Sequence, residues 1–485
     1  MTRYVCGVCR AYEYDDQAGD PALGVPPGVR TEGLPRDWQC PVCGSGRSNL
    51  IPKNEEKGTI PTVSAVAAET IDTILRKGEY LADWKRTEDD TEPYLADIQQ
   101  IAQTGESIYE PMRTKKEVVS WDSILIKGAQ LARFPRNADE PVSTQTIIGP
   151  HAKYPLVIET PIIVTHMSFG ALSHEAQLAI AQGTAAAKTA MGSGEGGMLL
   201  DVRNAAYRYI FEYVPNHYSA SEENLSRVDA VEIKFGQSTH PGMGGHLPGM
   251  KVTPEIGAIR GYPPGTDILS PARFRDIDSH EGIRKKVTWL REKSGGKPVG
   301  IKIASGDIEE DLAVAIAAEP DFITLDGRPG ATGSAPKFIK QAMSVPTIYA
   351  IRRARKFLDA ESNGTISLIV TGGLRVSSDF AKALAMGADA VAIGTAALIA
   401  IGCQQYRLCH ADLCPVGVTT QNPDLRSRFN VTLSARRLEN FLRVMTEEVC
   451  TITRMTGYDN VHSLSVQDLC TTHADVAEYT DISHV

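Results

Sequence analysis

The chain has no run of eighteen apolar residues, so the sequence offers no membrane-spanning helix. It also lacks a surplus of basic charge. Fifty Lys and Arg stand against 59 Asp and Glu, a net charge of −9, which excludes nucleic acid or an anionic membrane surface as the main partner. Met1 leads into polar sequence without a signal-peptide pattern, and the expected location is the cytoplasm. Cysteine is scarce along most of the chain, yet seven of the nine fall into two tight sets: Cys6, Cys9, Cys40 and Cys43, then Cys403, Cys409 and Cys414. Reducing conditions would keep these thiols available for metal. At 485 residues the chain exceeds one compact core, which predicts a small module joined to one large domain.

The first set reads C-x2-C, thirty residues, then C-P-x-C-G, and can offer four thiolates to one tetrahedral metal. Fifty residues bury little apolar surface, so the metal would supply folding free energy, on the order of 10 kcal/mol for a tight tetrahedral site. Tyr4, Tyr12, Tyr14 and Trp38 stand around the knuckles as an aromatic shield. Y-V-C-G-V-C, G-D-P-A-L-G-V-P-P-G and L-P-R-D-W-Q-C-P-V-C-G resemble rubredoxin over residues 1–50, which implies mononuclear iron; the competing reading is a redox-silent zinc ribbon. Arg10 departs from that pattern where glycine is usual after the first pair, and Ala11 looks inserted, whereas the second knuckle keeps Gly44.

Residues 46–60 are polar, with Gly and Pro at intervals, and read as a tether; 62–88 show helical apolar spacing, and the whole stretch 51–110 is linker and helical lead-in. Beyond residue 120, short β-branched runs alternate with helical stretches. Eight candidates are 162–166, 189–193, 229–235, 299–304, 321–326, 346–350, 366–371 and 389–394, which predicts an α/β fold, a (β/α)8 TIM barrel over 111–435. A doubly wound sheet is the rival, but its G-x-G-x-x-G fingerprint after a first strand is missing. Residues 436–485 begin with apolar helical spacing and read as a packing or assembly segment, and self-association stays open.

In such a barrel chemistry gathers at the C-terminal strand ends, and the polar and glycine-rich residues of this sequence fall there. The candidates are Met167 and Ser168 after the first run, Ser193 and Glu195 after the second, Lys234 on the third and Lys302 on the fourth. Thr371-Gly372-Gly373 and Gly394-Thr395 close the last two runs, where glycines let backbone N–H groups approach a phosphate. FMN is the phosphate-bearing cofactor that would also serve nearby iron, although each glycine pair taken alone reads as a turn. The spacing C-x5-C-x4-C-P within 403–421 offers three ligands to a cluster beside it. Cys450 and Cys470 stand alone and read as buried, inert thiols.

M-S-F-G (167–170), S-G-E-G-G (193–197), V-E-I-K-F-G-Q (231–237), P-G-M-G-G-H-L-P-G-M-K-V (241–252), D-G-R-P-G-A-T-G-S-A-P (326–336), T-G-G-L-R (371–375) and the 403–421 cysteines occur in one order. Over about residues 110–435 they resemble the FMN-binding synthase domain of glutamate synthase. The resemblance implies an FMN barrel with a [3Fe–4S] cluster that passes electrons to the flavin, which reduces 2-iminoglutarate made from 2-oxoglutarate and ammonia. Under it Lys302 would set its charge near the flavin, Lys234 and Gln237 would hold the 2-oxo acid, and Glu195 would handle the amine or imine proton. The structural alternatives are a strand-end lysine, a salt bridge for Lys234 and a loop carboxylate for Glu195.

Within these residues neither the glutaminase domain of the large glutamate synthases, with its N-terminal cysteine, nor a nicotinamide-binding fold is expected. Electrons would then arrive through rubredoxin or a redox partner protein. Where the family has K-P-G-E-G-G this chain has H-P-G-M-G-G (240–245), and where it has S-P-P-P-H-H-D-I the chain has S-P-A-R-F-R-D-I (270–277), so Arg273 or Arg275 becomes a candidate for binding a substrate carboxylate bidentately. The expected activity is reductive amination of a 2-oxo acid with an amine donor. The alternatives are an amine-exchange subunit resembling N-methylglutamate synthase and an electron-transfer subunit without catalysis.

Overall fold

A computed structural model describes residues 3–6, 12–35, 37–42, 46–53, 88–110, 118–333, 335–362 and 364–485. Cys9 and Cys43, the departures at Arg10 and Ala11, Gly44, and nearly all of the helical spacing at 62–88 lie outside the described residues. The chain divides into two compact units, Met1–Ile108 and Tyr109–Val485.

In the first unit the strand Arg3–Cys6 is the centre of a three-stranded antiparallel sheet, flanked by Glu13–Asp15 and Leu50–Pro52. Cys6 and Cys40 are buried among Tyr14, Val25, Leu34, Trp38 and Leu50, with Tyr4 and Tyr12 packed against them. So small a core leaves the thiols among aromatic rings and shielded from water. The stretch 89–108 contains the helix Leu95–Thr104, which ends at Gly105 in the left-handed conformation and buries no residue.

The second unit is built on a closed barrel of eight parallel strands: β1 Ile162–Val164, β2 Ala190–Gly192, β3 Arg208–Tyr213, β4 Ala230–Lys234, β5 Val299–Ala304, β6 Phe322–Asp326, β7 Ser367–Thr371 and β8 Ala390–Ile393. Neighbours in sequence are neighbours in the barrel, and β8 closes on β1 through Val391↔Ile162 and Ile393↔Val164. Seven of the eight expected runs are strands. The exception is 346–350, which opens the helix Thr347–Ser362. Its Ile348, Ile351, Ala354 and Leu358 are buried at helical spacing, and that long face outweighs the β-branched start. The missing strand is β3, whose R-Y-I-F-E-Y puts an acid in the middle of an apolar run.

One end of the barrel is filled by Ile163, Ala190, Ile210, Ala230, Phe322, Ile369 and Ala390, capped by the antiparallel pair Thr146–Ile148 and Leu156–Ile158. Gly300 on β5 leaves room for the Phe322 ring; a Cβ there would lie 2.2 Å from it. Outside the barrel, the 25-residue helix Val431–Met455 packs on His174–Ala186, with Gly183 allowing Leu438 to approach closely. Leu438, Leu442, Met445 and Val449 are buried, so this segment packs on the barrel's own helices. Farther on, Leu469–Thr471 pairs with Ile124–Ile126, tying the end of the unit to its beginning. Among the described residues no helix is long and apolar enough to cross a membrane.

Candidate active site

Side chains two apart on a strand share a face, so the residues that follow the apolar floor also point into the barrel. After Ile210 comes Glu212, after Ala230 come Glu232 and Lys234, after Gly300 comes Lys302, and after Phe322 come Thr324 and Asp326. The register sets Glu212 opposite Glu232, Lys234 opposite Lys302 and Lys302 opposite Thr324. A layer of charge therefore lies directly above the floor and beneath a cavity of about 470 Å³ at the C-terminal strand ends.

Every charge in that layer has a partner. Glu232 places Oε2 3.0 Å from His166 Nε2, and its other oxygen accepts the Thr324 hydroxyl proton. The Gly194 N–H donates to His166 Nδ1 at 3.2 Å, which assigns the ring proton to Nε2, facing Glu232. Glu212 Oε1 lies 3.7 Å from Lys302 Nζ, an ion pair longer than a hydrogen bond. Burial pushes the Glu212 carboxyl up, but Lys234, His166 and Lys302 outweigh it and hold the group below its ordinary value; Glu232 is held down by His166, Lys302 and Thr324 in the same way. His166, Glu212 and Glu232 bring their ligand atoms within 4.8 Å of one another, the one such cluster among the described residues. Lys234 and Lys302 act on the Glu212 carboxylate there, and His166, Lys302 and Thr324 on that of Glu232.

Nearer the mouth, Lys234 Nζ meets Glu195 Oε2 at 2.5 Å, and the Ser270 hydroxyl donates to Glu195 Oε1 at 2.5 Å. Burial drives the Glu195 carboxyl up, and Lys234 with Ser270 overcomes that and holds it below the usual range. Gly245 is a close approach: a Cβ would lie 2.7 Å from Glu195 Oε1. Asp326 behaves differently, since burial dominates over Lys302 and its carboxyl is pushed up to about 6.

Met167, Ser168, Glu195, Lys234, Gln237, Lys302, Gly372, Gly373, Gly394, Thr395 and Cys409 all line the cavity. Three of the substrate and cofactor candidates do not. Ser193 is buried behind the wall, where its hydroxyl bonds Gly194 O and accepts the Glu212 N–H at 2.9 Å. Arg273 and Arg275 are exposed on a loop anchored by Phe274, whose ring stacks on Tyr213 at 5.7 Å, and neither lines the cavity. Arg260 does line it, as Arg375 and Arg407 do; it is buried under Tyr218, bonded to Phe169 O at 2.5 Å and has Nε unpartnered. Residue parity along the strands could have found Glu212 and Glu232. No local signal marks His166 or Arg260, and Lys251 stands out only as part of the motif 241–252. His240 is buried behind the wall, pushed down to about 4 by burial and by Lys234.

The cofactor wall combines glycine loops with two cations. Gly372 has φ +109, and a Cβ would meet Gly327 O at 2.1 Å, so the neighbouring loop already demands this glycine. Arg375 and Arg407 line the cavity beside it, and burial together with the Arg407 charge pushes the Arg375 guanidinium down. An anion at that wall would relieve both penalties, so the residues suit a phosphate-bearing cofactor. On the adjoining segment Cys403, Cys409 and Cys414 carry free thiols, with Cys414 buried and Cys403 bonded by Gln405 Nε2 at 3.1 Å. They lie within electrostatic reach of one another, and Thr419 Oγ1 and Gln421 Oε1 are buried nearby without partners. Three soft donors and unfilled polar positions suit an iron–sulfur group.

A closed parallel barrel with buried acids, lysines and a glycine-walled cavity at its C-terminal end is the scaffold of a barrel enzyme. Residues 96–459 match the conserved region in glutamate synthase, and residues 3–50 match rubredoxin. The chain is 35% identical over 408 residues to a glutamate synthase large subunit-like protein of Rhizobium meliloti (strain 1021), covering 80% of this chain and 92% of that protein. It is 40% identical over 323 residues to the archaeal glutamate synthase [NADPH] of Methanocaldococcus jannaschii, covering 66% of this chain and 62% of the relative. With an archaeal-type glutamate synthase [NADPH] of Thermotoga maritima the identity is 35% over 379 residues, 77% of this chain and 73% of the other. The chain belongs to the glutamate synthase family and is an oxidoreductase, with an N-terminal rubredoxin domain that implies iron.

Proposed function

We propose that the chain reductively aminates a 2-oxo acid, 2-oxoglutarate or a relative, in the reducing cytoplasm, with electrons entering through the rubredoxin iron and a [3Fe–4S] cluster to FMN. The observation that carries this reading is the half-buried Lys234–Glu195 pair facing the same cavity as Lys302, the Gly372–Gly373 and Gly394–Thr395 loops, and Cys409. When bound, FMN supplies hydride transfer to carbon and the cluster supplies single electrons. Arg375 and Arg407 would hold the phosphate with the glycine loops, and the Lys302 charge would favour an anionic reduced ring. Cys403, Cys409 and Cys414 would hold the cluster; Cys6, Cys9, Cys40 and Cys43 would hold the rubredoxin iron.

The protein's own acid–base work falls to Glu195. Held ionised by Lys234 and Ser270, it can take a proton from ammonium so that the amine attacks the oxo carbon, and return it as water leaves. Lys234, Gln237 and Arg260 would orient the substrate carboxylate. The test is anaerobic reconstitution with iron, sulfide and FMN, followed by a screen of 2-oxo acids with ammonium against the rate of flavin oxidation. Flavin reoxidation with stoichiometric amino acid supports the reading. Reoxidation only by another protein, with no amino acid formed, replaces it with an electron carrier.

A further inference from the structure

Lys251 is 4% exposed and is not explained by the acid–base chemistry above. It ends the short turn Gly249–Lys251 and lines the cavity, as Cys409 does. Its ammonium points into the cysteine segment, donating to Cys409 O at 2.7 Å and Thr419 O at 3.1 Å, with Asp412 Oδ1 at 3.9 Å and the thiols of Cys409 and Cys414 within electrostatic reach. One lysine thus spans two points of the loop, ten residues apart, on either side of Cys414. The far side of that loop is fastened to the β1 end. Asp412 accepts the Gln421 N–H at 2.7 Å, Gln421 Nε2 donates to Gly170 O and Leu172 O, and the Ser173 hydroxyl donates to Gly417 O at 2.7 Å.

A buried ammonium is costly to desolvate and persists where it is fully bonded or faces negative charge. Lys251 has two carbonyl partners and a carboxylate at 3.9 Å, and its charge also acts on the Cys409 and Cys414 sulfurs. We propose that Lys251 is a positioning residue for electron entry: it braces the cysteine segment against the cavity wall and supplies the fixed positive charge that sets the reduction potential of the iron–sulfur group held there. This rests on the proposed reading of Cys403, Cys409 and Cys414 as cluster ligands. Each electron added to the group makes it more negative, so a fixed positive charge favours the reduced form and raises the potential.

The test uses the full chain loaded with iron, sulfide and FMN, as wild type and as Lys251→Met, Lys251→Gln and Lys251→Arg, with FMN content measured and the cluster followed by an EPR redox titration. Met keeps the stem, Gln keeps a donor without charge, and Arg keeps the charge. The expected result is a lower cluster potential in Lys251→Met and Lys251→Gln, a value near wild type in Lys251→Arg, and equal FMN content in all four. Cluster lost from the Met and Gln variants but kept by Arg, with FMN unchanged, also supports the role. Unshifted potentials in Met and Gln overturn it, and so does loss of the cluster from Arg. A wild-type chain that assembles no cluster sinks the cysteine reading and this inference together, whereas a wild-type cluster indifferent to Lys251 sinks the inference alone.

Discussion

The two layers inside the barrel come from the same strands and are separated by two residues, yet one is dry and the other is charged. Ile210, Ala230 and Phe322 meet across the axis beneath the Thr146–Ile158 hairpin, where they are almost fully buried. Glu212, Glu232 and Thr324 point the same way one step higher and meet His166 and Lys302. Alternation along a strand decides only whether a side chain enters the barrel. Height along the axis then decides its chemistry, because the floor must be packed and the mouth can exchange charge with a ligand.

Breaking one member of each layer tests that division most sharply. Lys302→Met leaves Glu212 buried beside one fewer cation, and removing one partner of a buried pair typically costs about 3–5 kcal/mol; urea unfolding should show that loss together with weakened FMN retention. Phe322→Ala in the floor should cost a similar amount, about 3–5 kcal/mol, by leaving a cavity. FMN uptake measured by absorbance should stay unchanged in the protein that folds, and if it falls as far as in Lys302→Met, the floor and the charged layer are not separable.

Glu195→Gln also breaks an ion pair, that with Lys234, and in the protein that folds it should lower kcat by on the order of 100-fold, as expected for loss of a general acid–base group. Its pH profile should lose the acidic limb, since the wild-type carboxyl is held low and ionised by Lys234 and Ser270. Equal loss at every pH would instead point to a positioning role.

The smallest effect concerns Asp326, which burial pushes up from 3.8 to about 6. The folded chain binds this proton more tightly than the unfolded chain, so the contribution to stability is full below about pH 4, declines as pH rises to about 6 and stays low above it. Asp326→Asn should therefore gain in Tm over wild type as pH rises from 4 to 7. A constant difference across that range would show that the carboxyl is not titrating as its burial requires.

Much of the barrel was legible because β-branched runs such as V-G-I-K-I-A and I-S-L-I-V-T declare buried parallel strands without help from the rest of the chain. The two misreadings share a cause. In 346–350 a strand-like start belongs to a helix whose buried face becomes visible only over sixteen residues. In 208–213 an acid that a surface would tolerate is in fact buried, because Glu212 has Lys302 opposite it in space, 90 residues away.

Local sequence by itself determined the cysteine spacings, the glycine-rich strand ends and the family, since each of these depends on residues close together in the chain. Only the tertiary structure decided which charged residues share the cavity. It left Arg273 and Arg275 outside the cavity lining, placed Arg260 in it, and set Lys251 against a loop more than 150 residues away, because burial and pairing are properties of contacts between distant segments.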